Sequence, residues 1–287
     1  MLAASNGRVF NKERDAPTKL PKGPVSMTAA IVIPARYGST RLPGKPLTTI
    51  AGASMLERVW RIAKAVKGCP RVVVSTEDER VAMHARSFGA DVALTSPSCT
   101  NGTERTYETL AVADVREEFV INFQGDAVLT PPWVLEALID EYHGGLPFDV
   151  VTPAVALTQR ALEELRAHKR DAPSSGTTVT FDLERNALYF SKQIIPHLRK
   201  AEAAPVHRHV GIYGYLRGSL ERFMSLSPTP LEEAEGLEQL RALEHGMKVR
   251  IVVVDYRGRT HASVDAPEDV QAVEAIIAAE GELIVER

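Results

Sequence analysis

"IVIPARYGSTRLPGKPLTTI", residues 31–50, joins an apolar run of strand character to a loop that carries Arg36, Arg41 and Lys45 among glycines and prolines. Ligands of open α/β sheets sit beyond the carboxyl ends of the strands, so a basic loop in that place reads as an anion site. Backbone N–H groups near Gly38 and Gly44 can approach phosphate oxygens while the cationic side chains neutralise them. The plain structural alternative is a solvated basic loop. The loop is not a Walker A motif: Pro43 stands five residues after Gly38, and Gly44-Lys45 is followed by Pro46 rather than Ser or Thr.

Outward from this stretch, "AAIVIP" (29–34), "RVVVST" (71–76), "DVALT" (91–95) and "FVINFQG" (119–125) read as buried strands. Between the first two, Met55, Leu56, Val59, Ile62, Ala63 and Val66 keep a helical period. "DERVAMHARSFG" and "GTERTYETLAVA" follow the same pattern. This β-α-β-α order predicts an α/β fold with a mainly parallel sheet and helices on both faces. The second half predicts strands over 149–157, 176–182, 186–192 and 208–216, the middle pair joined as a hairpin across "LERN". A helix over 230–246, a strand over 248–256 and a final helix over 267–281 follow. The economical organisation is a single domain over 27–287 with a β-rich insertion over about 149–216. Residues 1–26 read as a flexible N-terminal extension, with vector-derived residues or a misassigned start as the alternative.

The chain has 287 residues, 25% of them charged, and a formal net charge of −3. That balance gives no general pull on nucleic acid, so a cationic loop points to a local, small phosphorylated ligand. Cys69 and Cys99 form neither a metal spacing nor a disulfide framework, which fits a reducing cytoplasm. No apolar run approaches the roughly 20 residues of a membrane span.

Two carboxylates complete the pattern. In "VINFQGDAVLTPP" a buried strand ends in Gln124, Gly125 and Asp126, and "SVDAPEDVQAV" places Asp265 just ahead of a helix opened by Pro267. Each has a bland reading, a turn residue for Asp126 and capping chemistry for the helix start. Together they supply two protein ligands for one Mg²⁺ ion bridging nucleotide phosphates.

"IPARYGSTRLPGKPL", "NGTERTYE", "INFQGD", "ALYFSKQIIP", "RHVGIYGYLRGSLERF", "PLEEAEGLEQLRALEHG" and "VDAPEDV" recur in this order from about residue 29 to 275. They resemble the sugar-acid cytidylyltransferases, most closely the 3-deoxy-manno-octulosonate (Kdo) cytidylyltransferase, or CMP-Kdo synthetase, family. The resemblance implies a Rossmann-like nucleotidyltransferase core, usually a homodimer formed through the insertion, using CTP and Mg²⁺. It implies that Arg36, Arg41 and Lys45 bind the triphosphate as the catalytic cations, and that Asp126 and Asp265 hold the metal. Gly38, Ser39, Asn101, Gly102 and Gln124 would complete the nucleotide site, Gln124 touching either the acceptor or the ribose. Arg105, His209, Tyr213, Glu238 and Gln239 would lie at or near the acceptor site. By its residues alone His209 reads as a hydrogen-bonded structural histidine, and the run around Glu238 as a dimer or core helix.

Three places depart from the family pattern. Ser98, Cys99, Thr100 and Asn101 stand where the family has Asp-His-Gln-Ser; Ala127 and Val128 follow Asp126 in place of Glu-Pro; and Thr180 takes the position of a lysine. The changes fall where acceptor and base would be handled, so the sequence predicts the same reaction on a different acceptor: a small phosphonate such as phosphonoformate, in the biosynthesis of phosphonate or phosphinate antibiotics. The alternatives are Kdo or its amino analogue for lipopolysaccharide, and a non-catalytic relative that only binds nucleotide.

Overall fold

The computed structural model describes residues 28–39, 41–68, 71–200 and 205–284, and the extension expected over 1–26 lies outside them. The first half holds β1 (Ala29–Pro34), the short pair β2 (Thr49–Ile50) and β3 (Ala53–Ser54), α1 (Met55–Lys64), β4 (Arg71–Thr76), α2 (Glu79–Ser87), β5 (Asp91–Leu94), α3 (Gly102–Val112), β6 (Phe119–Asn122) and α4 (Pro132–His143), and from β1 to β6 its long strands and helices alternate as the sequence predicts. Strands β5, β4, β1 and β6 are neighbours in that order, each pair parallel. All six residues of β1 are buried because helices cover both faces. Ala29, Ile31 and Ile33 pack on one side, with α1, α2, α4 and the last helix; Ala30 and Val32 pack on the other, as the two-residue period of a strand requires.

The second half begins with β7 (Val150–Ala156), α5 (Gln159–Asp171), the β8 (Thr178–Phe181) and β9 (Ala187–Ser191) hairpin, β10 (His207–His209) and β11 (Tyr213–Leu216). It ends with α6 (Arg217–Met224), α7 (Pro230–Glu235), α8 (Gln239–Glu244), β12 (Val249–Val253) and α9 (Pro267–Glu280). Strand β11 adds antiparallel to β6, setting Tyr213 opposite Asn122, and β7 follows it. Strand β12 runs parallel along the other edge of β7, while β10 pairs with its far end and hands on to the β8–β9 hairpin. The sheet is therefore mixed, parallel through the half built from β5, β4, β1 and β6.

Of the boundaries that differ from the sequence reading, three have a clear local reason. The strand expected over 208–216 is two strands, because Ile212 N–H donates back to Val210 O and Thr152 Oγ1 donates to Ile212 O, turning the chain from one neighbour to the next. The helix expected over 230–246 breaks at Gly236, whose φ of 62° is left-handed and ends α7. The strand expected to reach Gly125 stops at Asn122, freeing Gln124 to Asp126 for a loop. Helices α4, α5 and α6 carried no reading at all; α5 buries only Leu162 and Leu165, and its remaining surface is polar.

Phe119 ties the two halves together. It is fully buried, stacks on Tyr142 with ring centroids 4.7 Å apart, and lies where a Cβ on Gly214 of β11 would come within 2.3 Å of its ring. Phe119→Ala should lower stability by about 3–5 kcal/mol, read as a reduced urea midpoint.

Candidate active site

The basic loop closes over the carboxyl ends of β1, β4 and β6. Lys45 follows Gly44 into a single 3₁₀ turn stiffened by Pro46, which aims its side chain back across the sheet. Its ammonium donates to Asp126 Oδ2 at 2.7 Å and to Asp265 Oδ1 at 3.0 Å. Arg41 Nη2 lies 3.2 Å from the same Asp265 oxygen. Burial pulls the Lys45 pKa down, but the charges and hydrogen bonds of Asp126 and then Asp265 outweigh it, leaving the ammonium more basic than a free lysine.

Each carboxylate is placed by its own local device. Gly125 brings Asp126 past the end of β1, where a Cβ would stand 2.9 Å from the Pro34 carbonyl oxygen. Asp265 is held by Asp269, whose Oδ2 accepts from the N–H groups of Asp265 (2.7 Å) and Ala266 (2.9 Å) at the start of α9. Helix α9 is itself anchored near the basic loop: Glu274 accepts from Ala51 N–H, and Glu282 beyond the helix pairs with the buried Arg58 of α1.

Above these residues opens a cavity of about 330 Å³. Its walls include Arg36, Ser39, Arg41 and Lys45 from the loop, Asn101, Gly102 and Arg105 from α3, and Gln124, Asp126 and Asp265. Gly38 is not among the lining residues. Arg36 is exposed, and no carboxylate among the described residues pairs with it. Arg105 reaches the wall but its buried guanidinium is engaged, by Glu77 at 2.9 Å and Thr95 at 2.6 Å. Sequence reasoning missed Glu77, which also accepts the Tyr37 N–H and so links the basic loop to α3. The signal was available: an acidic residue just past the end of a parallel strand.

His209, Tyr213, Glu238 and Gln239 form a second cluster, off the wall of that cavity. His209 Nε2 bonds Thr152 Oγ1 at 2.8 Å, and Tyr213 O–H donates to Gln239 Oε1 at 3.1 Å. Glu238 accepts from Thr103 Oγ1 at 3.0 Å. Burial raises the Glu238 carboxyl, opposed by the Thr103 hydrogen bond and Arg241, and burial likewise raises the Tyr213 phenol. Lys192, just after β9 and also unremarked as a site residue in the sequence, acts electrostatically on His209; burial lowers its pKa against the pull of Glu235.

The departures from the family pattern divide: Cys99, Thr100 and Asn101 line the cavity, whereas those after Asp126 are structural. Val128 is a core side chain, 3% exposed, and Ala127 N–H closes a turn on Gln124 O. Asn101 caps α3 by accepting from Glu104 N–H at 2.8 Å. Cys99 lines the cavity, with its thiol donating to Glu108 Oε2 at 2.9 Å; burial, then Glu108, push its pKa up to about 11.

The fold that carries this cationic cavity, floored by Asp126 past the end of β6 and Asp265 ahead of α9, has a counterpart of known structure. The chain superimposes on CMP:2-keto-3-deoxy-manno-octonic acid synthetase complexed with CTP, with TM-score 0.79 and 36% identity over 88% of this chain and 99% of that one. Fold and site thus define a nucleotidyltransferase. The family model for cytidylyltransferases matches residues 30–249, and the chain belongs to the cytidylyltransferase family. It is 51% identical to the 3-deoxy-manno-octulosonate cytidylyltransferase of Maricaulis maris, across 90% of this chain and all of that protein. It is 38% identical to the 8-amino-3,8-dideoxy-manno-octulosonate cytidylyltransferase of Shewanella pealeana, across 87% and 98%. These relatives favour the sugar-acid alternative; nothing among them supports the phosphonate acceptor that the sequence departures suggested.

Burial holds His209 at a pKa of about 3 and His261 at about 4, both far below a free imidazole. The unfolded chain therefore binds more protons than the folded one between those values and about 6.5. Stability is fully present above that range and falls as pH drops through it, by about 1.4 kcal/mol per pH unit for each histidine. His209→Gln should flatten the slope of urea midpoint against pH between pH 6.5 and 5.

Proposed function

We propose that this protein transfers CMP from CTP to the eight-carbon sugar acid Kdo, releasing pyrophosphate. The observation that carries the reading is the Lys45 bridge between Asp126 and Asp265 beneath a cavity lined by Arg36 and Arg41. The kinship to Kdo cytidylyltransferases over the whole of one relative supports the acceptor.

The two carboxylates suit Mg²⁺. They are hard oxygen donors, and their oxygens already converge on one cation at 2.7 and 3.0 Å. Mg²⁺ is held by one or two carboxylates together with substrate phosphates, which is what this site offers. Bound there, the metal would supply charge neutralisation at the α-phosphate. In the reaction the acceptor hydroxyl oxygen attacks the α-phosphorus, a new P–O bond forms, the bond from the α-phosphorus to the α–β bridging oxygen breaks, pyrophosphate leaves with that electron pair, and the hydroxyl proton passes to solvent water. Lys45, Arg36 and Arg41 stabilise the charge that builds on the leaving pyrophosphate, and the rigid loop keeps the phosphates aligned.

The acceptor lies in this reading against Gln124 and the cluster of His209, Tyr213, Glu238 and Gln239. Amide, phenol and carboxylate suit a polyhydroxylated sugar, and Lys192 offers a cation for its carboxylate. The homodimer implied by the family belongs to the same proposal, with Leu183 and Leu188, exposed at the β8–β9 hairpin, as apolar surface to be covered; a monomer by sedimentation equilibrium would rule it out.

The test is pyrophosphate release with CTP and Mg²⁺. Turnover is expected with Kdo and not with phosphonoformate at equal concentration, and the converse would overturn the acceptor. Asp126→Asn should reduce kcat by about 10³-fold or more if it holds the metal. Near-normal turnover of that variant would remove Asp126 from the role.

A further inference from the structure

Asn122 is the one polar residue of β6 and is 0% exposed, at the centre of the sheet among Phe119, Val120 and Ile121. Its side chain belongs to a chain of hydrogen bonds that runs from the nucleotide cavity to the second cluster. Gln124 Nε2 donates to Asn122 Oδ1 at 3.1 Å, Asn122 Nδ2 donates to Thr103 Oγ1 at 3.3 Å, and Thr103 Oγ1 donates to Glu238 Oε2 at 3.0 Å. Thr103 is 1% exposed. Of the four residues only Gln124 borders the cavity.

The donors and acceptors of this chain run in one direction in the structure. Glu238 Oε2 accepts the single proton of the Thr103 hydroxyl, the role an ionised carboxylate takes. The threonine oxygen is then left as an acceptor, which requires Asn122 to present its NH₂ there and its carbonyl to Gln124. Gln124 must answer with its own NH₂, and its carbonyl oxygen becomes the free end. Packing holds the amide where it is: a Cβ on Gly102 would stand 3.1 Å from both Gln124 Nε2 and Oε1.

We infer that Thr103 and Asn122 are positioning residues for the transfer reaction: their relay turns the Gln124 carbonyl oxygen toward the ligand as a hydroxyl acceptor and holds Glu238 in register with it. The ligand class this specifies is a polyol, whose hydroxyl donates to Gln124 Oε1. The inference rests on the reading of the Glu238 cluster as acceptor site. A buried relay with every member satisfied is rigid, and one missing member leaves the others unpaired.

The experiment is steady-state kinetics with CTP and Kdo on the full chain, alongside calorimetric binding of CTP alone. Thr103→Val keeps the volume and removes the hydroxyl; the Kdo KM should rise about tenfold or more, with CTP affinity changed less than about threefold. Thr103→Ser restores the hydroxyl and should recover the Kdo KM. Asn122→Asp offers only acceptors, draws the Thr103 proton away from Glu238, and should reproduce the valine loss. Equal damage from Val and Ser, or wild-type kinetics in Thr103→Val, would overturn the relay. If the wild-type protein itself fails to turn over Kdo, the acceptor reading fails and the inference falls with it, an outcome distinct from a working wild type matched by its variants.

Discussion

One ammonium group organises the active end of this molecule. Lys45 bridges Asp126 and Asp265, residues 81 and 220 positions away along the chain. Both pairs are partly exposed, so each contributes little to stability on its own. Their value is geometric: the bridge gathers the loop after β1, the loop after β6 and the start of α9 at one point, and places three charges of fixed sign at the mouth of one cavity. Gly125, Pro46 and Asp269 are the local devices that allow the three segments to meet.

The mixed sheet gives this arrangement its second half. Because β11 adds antiparallel to β6, Tyr213 comes to lie beside Asn122, and the residues after β11 and around α8 are brought alongside the end of the parallel strands. A purely parallel continuation would have placed a crossover helix there instead. The antiparallel addition thus sets a polar, largely buried cluster next to the cationic cavity.

Much of the parallel half was legible in the sequence, since buried strands and amphipathic helices carry their period in every residue. The bounds of β1 and β4 match the apolar runs, and the loop cations meet Asp126, read from a strand end, and Asp265, read from the start of a helix. What escaped reading was decided by contacts between distant segments. The split of 208–216 depends on Thr152, over fifty residues earlier, and a charged surface helix such as α5 gives only a weak apolar stripe. The changes at Ala127 and Val128 looked like an altered binding site because sequence does not tell a side chain facing a cavity from one facing the core. Glu77 was overlooked because its partners, Tyr37 and Arg105, are joined to it only through the fold.

The position of Asp265 also orders events during synthesis. The family-matched region ends at residue 249, with Asp265 and its helix still to come. A nascent chain that has emerged through β12 holds the basic loop, the parallel strands and Asp126, while Lys45 has only one of its two carboxylate partners. The second arrives with α9 and is pinned as Glu274 reaches Ala51 and Glu282 reaches Arg58. The segment that completes the site thus follows in the chain every other residue of the site, and the acidic floor is whole only once α9 has docked.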